Sequence, residues 1–302
     1  MTDNKFSFES TLKSFDTEEF IDLRFYRPIG YRWALFFNKL RVTPNQISIA
    51  SIFIGVAAGI CYYFNNIWIN IMGIFFLVWA NSYDSADGQL ARMTGQKTEL
   101  GRILDGVCSD FWFVSIYFAI AFRLYPVWSW TIFALALTAG FFHGKQAAMA
   151  DYYRNLHLLF LKGESESEFH NSKVLKEKNK NRKHKENFFV KLFEYFYVAY
   201  TKGQERWTPR LQKMLKVLRE KYQGQAPEWF CSDFREKSLP LMKYANMLSF
   251  NTRAIALFIS LSINIPWLYF VFELTVLNII LIYMVFRHEN ICRQFAIKLE
   301  VC

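Results

Sequence analysis

The residues that could do chemistry are carboxylates at the edges of two apolar segments. The stretch "YDSADGQLARMTGQKTELGRILDGVCSD", residues 83–110, contains five acidic residues. Asp84 and Asp87 are three residues apart and share one face of a helix, and Asp105 follows at the start of the next apolar segment. Carboxylate oxygens from two adjacent helices are the ligands expected for Mg²⁺ or Mn²⁺. A single aspartate here could be a solubilising helix-end charge, but three at this spacing predict a metal site.

Small residues beside the carboxylates leave room for a ligand. Gly88 and Ala91 lie on the same helical stripe as Asp84 and Asp87, so a ring or a ligand backbone could approach closely. No histidine or cysteine stands where it could complete a zinc site. The five cysteines are scattered and without C-x2-C pairs, which also argues against a disulfide framework.

The composition of the chain places these carboxylates at a membrane. Hydrophobic residues make up 53% of the 302 residues and aromatic residues 19%, which is far above the aromatic share of soluble domains. The net charge is +10 and the mean hydropathy only slightly positive, so apolar spans must alternate with basic segments. The first 15 residues are polar, and we expect no cleavable signal peptide.

Apolar stretches of about 20 residues, the length that crosses a bilayer, set the expected fold. The candidate spans are 47–64, 67–83, 106–122, 128–149, 251–265 and 267–286. We predict an all-α integral membrane bundle of six transmembrane helices. The expected divisions are an arm at 1–42, four spans with the acidic motif at 43–150, an insertion at 151–242, and two spans with a tail at 243–302.

Lysine and arginine are unequally distributed between the two ends of the predicted spans. The N-terminal arm, the connection between the second and third spans, and the C-terminal tail are basic, whereas the opposite connections carry only Arg123. Basic loops stay in the cytoplasm. Both termini and the acidic stretch are therefore expected on the cytoplasmic side of the cytoplasmic (inner) membrane.

Two segments lie outside the predicted spans. Residues 17–40 alternate aromatic and basic side chains, which is typical of an amphipathic helix in the membrane interface; a surface helix of a soluble domain is the alternative. The insertion at 151–242 contains a basic run at 173–185, which could attract anionic lipids. Residues 187–200 and 207–222 have the pattern of amphipathic helices. We therefore expect an interfacial N-terminal helix and a cytoplasmic helical insertion.

The acidic stretch has the spacing of a known signature. It resembles the pattern D-x2-D-G-x2-A-R-x8-G-x3-D-x3-D of the CDP-alcohol phosphatidyltransferases, at seven of the eight fixed positions and with all spacings kept. The matching residues are Asp84, Asp87, Gly88, Ala91, Arg92, Gly101 and Asp105. The resemblance extends to the six spans, the interfacial helix and "TPNQIS" at residues 43–48, but not to the insertion.

The resemblance implies a reaction and a role for each of these residues. The diphosphate of a CDP-linked lipid would lie at the cytoplasmic boundary, an acceptor hydroxyl would attack the phosphorus, and CMP would leave. Asp84, Asp87 and Asp105 would then hold a pair of Mg²⁺ or Mn²⁺ ions that neutralise charge on the phosphoryl oxygens. The expected nucleotide-binding residues are Gly88, Ala91, Arg92 and Gly101.

The eighth position of the signature departs from the family pattern. The family has an aspartate there, credited as the general base, whereas this chain has Ser109 and places Asp110 one residue later. On a regular α-helix Ser109 lies about 40° from Asp105 around the axis, and Asp110 about 140°. Three explanations are open: a π-bulge near Gly106 that brings Asp110 into phase, another proton acceptor, or weak catalysis. We favour the bulge and take Asp110 and Ser109 as candidate catalytic residues.

The acceptor site is expected at basic residues near the cytoplasmic ends of the fourth and fifth spans. Lys145, Arg154 and Arg253 lie there, and in the family such residues hold a phosphorylated acceptor such as inositol phosphate or glycerol phosphate. Anchoring to lipid headgroups is the alternative. The closely spaced basic pair of the inositol-phosphate branch is missing from this sequence, so the acceptor stays open. His143 and Glu273 are interpreted as packing or helix-pairing residues.

The same residues are open to three other interpretations. The donor could carry a polar headgroup and the acceptor be the lipid, or the site could be impaired at Ser109. An ion-coupled transporter, a different class of protein, should show an internal repeat and acids near the bilayer midplane, where this chain has only Glu273. The expected partners are a CDP-linked lipid, a small polar acceptor and membrane lipids, with a homodimer as one assembly to test and no nucleic acid.

Overall fold

A computed structural model describes residues 7–96, 98–163, 167, 169–181 and 188–301. Most of these residues are helical and none of them lies in a strand, which confirms the predicted all-α class for the described chain. The helices are α1 (Arg27–Lys39), α2 (Pro44–Cys61), α3 (Ile67–Thr94), α4 (Glu99–Trp128), α5 (Thr131–Lys162), α6 (Ser172–Asn181), α7 (Phe188–Trp207), α8 (Pro209–Tyr222), α9 (Glu228–Met247), α10 (Phe250–Ser262), α11 (Trp267–Phe272) and α12 (Asn278–Val301). Shorter turns are 3-10 at Glu9–Thr11 and π-helical at Asp22–Tyr26 and Glu273–Leu277.

Three of the described helices are long and apolar enough to cross a membrane. They are Pro44–Cys61, Gly106–Trp128 within α4, and Trp267–Val301, which runs from α11 to α12. They correspond to the first, third and sixth predicted spans. Helices α3 and α5 cover the second and fourth predicted spans but continue into polar sequence, and α10, with 13 residues, reaches only about 20 Å. The membrane character is thus supported, while the number of six spans stays a prediction.

The described chain forms two compact units. The first comprises Met1–His143 and Asn251–Thr275, and the second Gly144–Phe250 and Val276–Cys302. Helix α5 continues through position 150, and α9 through position 242, so neither predicted border of the insertion coincides with a helix end. The acidic motif lies in the first unit.

Helix α2 packs against both α3 and α4 in the first unit. Glycines make its contact with α4 close: a Cβ built on Gly55 would lie 2.1 Å from the Trp112 indole, and one on Gly59 would lie 2.3 Å from Ser115 Oγ. Ser115 Oγ also donates a hydrogen bond to the carbonyl of Val56, at 3.0 Å. Because the Trp112 side chain is fully buried, this contact holds α4 in one rotational position on α2.

Gly55→Ala is expected to lower the free energy of unfolding by about 1–3 kcal/mol, because the new methyl group overlaps a buried ring. Gly140→Ala in α5 is the matched control, since a Cβ there meets no atom of the described chain within 4 Å. Alanine is the better helix former by up to about 1 kcal/mol, so this control should be neutral or stabilising. Denaturant unfolding in detergent micelles, followed by tryptophan fluorescence, compares the two. Equal midpoints would contradict the close α2–α4 contact.

The interfacial helix expected at residues 17–40 corresponds to the π-turn Asp22–Tyr26 and the following helix α1. Helix α1 packs on α3, the helix that carries the first half of the motif. Gly30 makes the approach close, since a Cβ there would lie 2.8 Å from both Ser85 Oγ and Gln89 Oε1. The N-terminal segment therefore covers one side of the motif helix.

Helix α12 packs against α8 and α9 in the second unit. The amphipathic helix expected at 207–222 is confirmed as α8, whose apolar residues Leu211 and Met214 are buried. Glu289 on α12 accepts hydrogen bonds from the backbone N–H groups of Arg210, at 2.7 Å, and Leu211, at 3.1 Å. The first amides of a helix have no intrahelical partners. Glu289 therefore caps α8 from a different helix.

Candidate active site

Helix α3 presents the first half of the motif on one face, where Asp87 is more deeply buried than its neighbours. Asp84, Gly88 and Ala91 are each partly exposed and follow one another at helical spacing; we call them the open stripe. Asp87 is only 3% exposed. The nearest atoms to a Cβ built on Gly88 belong to the Arg92 guanidinium, 3.5 Å away. The open stripe therefore leaves room for a ligand beside Asp84.

Helix α2 orients the buried carboxylate. Ser48, itself 2% exposed, donates a hydrogen bond from Oγ to Asp87 Oδ2. The helix starts nearby with a capping box, in which Gln46 Oε1 accepts a hydrogen bond from the Thr43 N–H at 2.9 Å. The sequence "TPNQIS" therefore both begins α2 and holds Asp87.

The start of α4 lies against the start of α2. Thr98 Oγ1 caps α4 by accepting a hydrogen bond from the Gly101 N–H at 2.9 Å, and a Cβ on Gly101 would lie 2.8 Å from Asn45 Oδ1. Gly101, predicted in the nucleotide pocket, thus lies at the contact of these two helices. The side chain of Asp105 lies outside the described residues. Its place in α4 is three residues before Cys108, which is buried and donates to a backbone carbonyl of α2.

Helix α4 is a regular α-helix at the position where the departure from the signature occurs. It is continuous over Glu99–Trp128, without a π-turn near Gly106. The predicted π-bulge is therefore wrong, because the backbone does not widen to bring Asp110 round to the side of Asp105. Asp110 is exposed and Ser109 is partly buried. Catalytic roles for Asp110 and Ser109 stay predictions, and a regular helix favours the position of Ser109.

Asp110→Asn is expected to change the rate of CMP release less than about threefold, whereas Ser109→Asp should raise it about tenfold or more. The second change restores the spacing of the family signature on a regular helix and supplies the carboxylate of a general base. Initial rates at saturating metal measure both effects, with Ser109→Asn as the uncharged control of the same size. A loss of 100-fold or more in Asp110→Asn alone would identify Asp110 as the base after all.

The N-terminal segment contacts the motif helix directly. Arg92 Nε donates to the carbonyl oxygen of Thr11 at 2.5 Å, and Gln89 Nε2 donates to Thr11 Oγ1 at 3.3 Å. Gln89 Nε2 also lies 3.1 Å from the carbonyl oxygen of Arg27. Thr11 and Gln89 are fully buried. Arg92, predicted to bind the nucleotide, therefore engages residues of the N-terminal segment.

Arg27, a residue outside the motif, lies beside the open stripe. Its Nε donates to Glu18 Oε2 at 2.9 Å and its Nη1 to Ser85 Oγ at 3.3 Å, next to Asp84 in the chain. Burial disfavours the charge of Arg27, but attraction to Glu18, Asp22 and Asp84 outweighs burial and raises the pKa of the guanidinium. Asp84 therefore has a fixed cation nearby.

The basic residues predicted at the acceptor site fall into both compact units. Lys145 and Arg154 belong to the second unit, whereas Arg253 belongs to the first. Arg154 donates from Nε and Nη2 to Asn246 Oδ1, at 3.0 and 2.9 Å, which ties α5 to the end of α9. Lys145 Nζ lies 4.0 Å from a Cβ built on Gly203 in α7. Acceptor binding by Lys145 and Arg154 stays a prediction.

Arg253 is buried against an acid of the last predicted span. Arg253 is 1% exposed and Glu273 is 0% exposed, and Arg253 Nη1 donates to Glu273 Oε2. The other carboxylate oxygen accepts a hydrogen bond from the Tyr269 hydroxyl at 2.6 Å and lies 3.7 Å from His143 Nδ1. The helix-pairing interpretation of Glu273 and His143 is confirmed. Acceptor binding by Arg253 stays a prediction.

The described donors suit a hard divalent cation. Asp84 and Asp87 offer carboxylate oxygens about one helical turn apart, and Ser48 fixes the orientation of one of them. Among the described side chains, which do not include that of Asp105, no group of three or more His, Cys, Asp or Glu could hold a metal ion. Two of the three predicted ligands therefore fit Mg²⁺ or Mn²⁺, and the metal stays a prediction.

The part of the chain that carries the motif matches a known family. Residues 41–155 match the family model of the CDP-alcohol phosphatidyltransferases. The resemblance inferred from the motif is confirmed over this region, which holds α2 to α4 and most of α5. A search among curated proteins finds no match to the chain. The family implies phosphatidyl transfer from a CDP-alcohol, and together with the apolar helices it indicates an integral membrane protein.

Two side chains at the site were missed by reasoning from the sequence. Ser48 had a signal, since it is a polar residue just inside an apolar span and one turn after the capped start of that span. Arg27 had none, because nothing in its spacing distinguishes it from Arg24 in the same segment. The first could have been found from the sequence, and the second needed the structure.

Proposed function

We propose that the protein is a metal-dependent transferase that moves a phosphatidyl group from CDP-diacylglycerol to the hydroxyl of a small polar acceptor and releases CMP. The observation that supports this function is the open stripe, with Asp87 buried behind it and held by Ser48, inside the region that matches the family. The cations that accompany a nucleotide diphosphate need carboxylate ligands, and the diphosphate needs free space beside them.

The role of the protein in this reaction is mainly to position charge. Mg²⁺ or Mn²⁺, held by Asp84, Asp87 and the proposed third ligand Asp105, would neutralise the diphosphate and the departing CMP. Ser48 orients Asp87 before any substrate binds. Gly88 keeps the open stripe free of bulk. These contacts are preorganised, so little rearrangement is needed during the reaction.

The proposed transfer forms one bond and breaks one bond at the same phosphorus. The acceptor oxygen bonds to the phosphorus that carries diacylglycerol, and the bond from this phosphorus to the oxygen of CMP breaks. The hydroxyl proton must go to a base, for which a carboxylate of the motif is the candidate, because the regular helix α4 does not bring Asp110 round to the side of Asp105. A neutral Ser109 hydroxyl cannot serve as that base at pH 7.

Basic side chains support the proposed class of acceptor and the proposed orientation in the membrane. Lys145 and Arg154 suit a phosphorylated acceptor such as inositol phosphate or glycerol phosphate. We place the protein in the cytoplasmic membrane, and the basic connections favour an orientation with both termini and the open stripe facing the cytoplasm. A homodimer is compatible with this arrangement.

Release of CMP tests the proposed function. The full chain in lipid nanodiscs is given labelled CDP-diacylglycerol, Mn²⁺ and one of inositol phosphate, glycerol phosphate, inositol or glycerol. We expect one CMP for each new phospholipid with at least one acceptor, and none with EDTA. A second arm, with a CDP-linked polar headgroup and diacylglycerol, tests the reverse assignment of donor and acceptor. Folded protein that yields no CMP in either arm would defeat the proposal.

A further inference from the structure

Arg27 is held in place by two contacts, which use two of the three nitrogens of its guanidinium. Its Nε bonds to Glu18 and its Nη1 to Ser85, and the Glu18 side chain is 5% exposed against 19% for Arg27. The N–H groups of Nη2 make no hydrogen bond within the described residues. A guanidinium offers five donors in a rigid plane. Arg27 is therefore fixed on one side and can bind an anion on the other.

The neighbours of Arg27 point to a phosphate as its ligand. Ser85, the partner of Nη1, adjoins Asp84 of the open stripe, and the charge of Asp84 acts on the guanidinium. Planar guanidinium groups bind phosphate oxygens more specifically than a lysine ammonium does. Arg24, three residues earlier, is exposed and lies over the Phe20 ring at 5.5 Å. Of these two arginines, Arg27 therefore hydrogen-bonds to the motif helix and Arg24 does not.

We infer that Arg27 is a donor-binding residue: its Nη2 edge binds a phosphate oxygen of the CDP group, and its charge opposes the binding of a metal ion alone. The inference rests on the proposed function. A cation beside Asp84 repels Mn²⁺ but attracts the negatively charged nucleotide. Arg27 therefore favours joint binding of nucleotide and metal over binding of the metal by itself.

Two affinities distinguish this role from a structural one. The full chain in nanodiscs is titrated with Mn²⁺ without nucleotide, by electron paramagnetic resonance of the free ion, and with CDP at saturating Mn²⁺, by calorimetry. Arg27→Gln is expected to bind Mn²⁺ about threefold tighter or more, because a like charge is removed. It is expected to bind CDP about tenfold weaker or more, because a charged hydrogen bond is lost. A merely structural defect would weaken both affinities.

Control variants separate charge, geometry and folding. Arg24→Gln makes the same charge change at the exposed arginine and should match the wild type in both titrations. Arg27→Lys keeps the charge but not the planar fork, so its Mn²⁺ affinity should be unchanged and its CDP affinity reduced. If Arg27→Gln fails to fold because Glu18 loses its partner, the double variant Glu18→Gln/Arg27→Gln replaces the ion pair by amides. Its CDP affinity is then the deciding measurement.

The outcomes that overturn the inference are distinct from failure of the proposed function. Wild-type CDP affinity in Arg27→Gln, or in the double variant, would overturn it, and so would weaker binding of both ligands by folded Arg27→Gln. The proposed function fails if the wild-type protein binds CDP but releases no CMP with any acceptor. This outcome is measured on the wild type alone.

Discussion

Asp87→Asn is expected to lower the rate of CMP release at least about 100-fold, equivalent to about 2.7 kcal/mol of transition-state stabilisation. Asp87 is 3% exposed and accepts a hydrogen bond from Ser48, so the replacement amide would occupy the same place. It would lack the negative charge that binds a divalent cation. The rate is measured with labelled CDP-diacylglycerol at saturating Mn²⁺. Asp84→Asn on the open stripe should have a similar effect.

A graded variant and a matched control accompany this experiment. Ser48→Ala keeps the carboxylate but removes its hydroxyl partner, and should reduce the rate about 2- to 10-fold. Asp233→Asn makes the same chemical change in an exposed ion pair with Lys298, and should leave the rate unchanged. An Asp87→Asn protein that works at full rate with EDTA present would rule out both the metal and this carboxylate.

Glu273→Gln is expected to lower the free energy of unfolding by about 3–5 kcal/mol, since it leaves the buried Arg253 without its counter-charge. Both side chains are 1% exposed or less, so water cannot replace the lost partner. The hydrogen bond from Tyr269 to the carboxylate is also weakened. Denaturant unfolding in micelles measures the loss. Wild-type stability in Glu273→Gln would mean that the pair is solvated or broken in the membrane.

The double variant Arg253→Met/Glu273→Met tests what Arg253 does beyond stability. Replacing both charges with apolar groups of similar length should restore most of the lost stability. If Arg253 only pairs helices, the KM for the acceptor should equal that of the wild type, and this is the expected result. A KM for the acceptor raised about tenfold or more, with an unchanged KM for the CDP lipid, would return Arg253 to the acceptor site.

The motif was predictable because its chemistry requires particular residue types at fixed spacings. Asp84, Asp87 and Gly88 could be placed on one helix from their separation alone. The start of α2 was visible in Thr43 and Gln46, which form the capping box. Apolar length predicted the helices that could cross a membrane, although it could not show that α10 ends after 13 residues.

The remaining features depend on contacts between distant segments. The sequence could not reveal that Arg253, which is predicted at the acceptor site, pairs with Glu273, 20 residues later. The π-bulge was predicted near Gly106, whereas the described π-turns are at Asp22–Tyr26 and Glu273–Leu277. Both of these turns contain acids that contact another helix, so the local backbone follows tertiary contacts that spacing does not encode.

The cap that Glu289 places on α8 links two events in the synthesis of the protein. Glu289 lies 79 residues after Arg210 and accepts a hydrogen bond from the backbone N–H of that residue. In the chain it follows the apolar part of the helix Trp267–Val301. When α8 leaves the ribosome, its capping carboxylate has not yet been made. The N-terminus of α8 can be completed only after the apolar part of the helix Trp267–Val301 has been translated, so α8 reaches its final state late in synthesis.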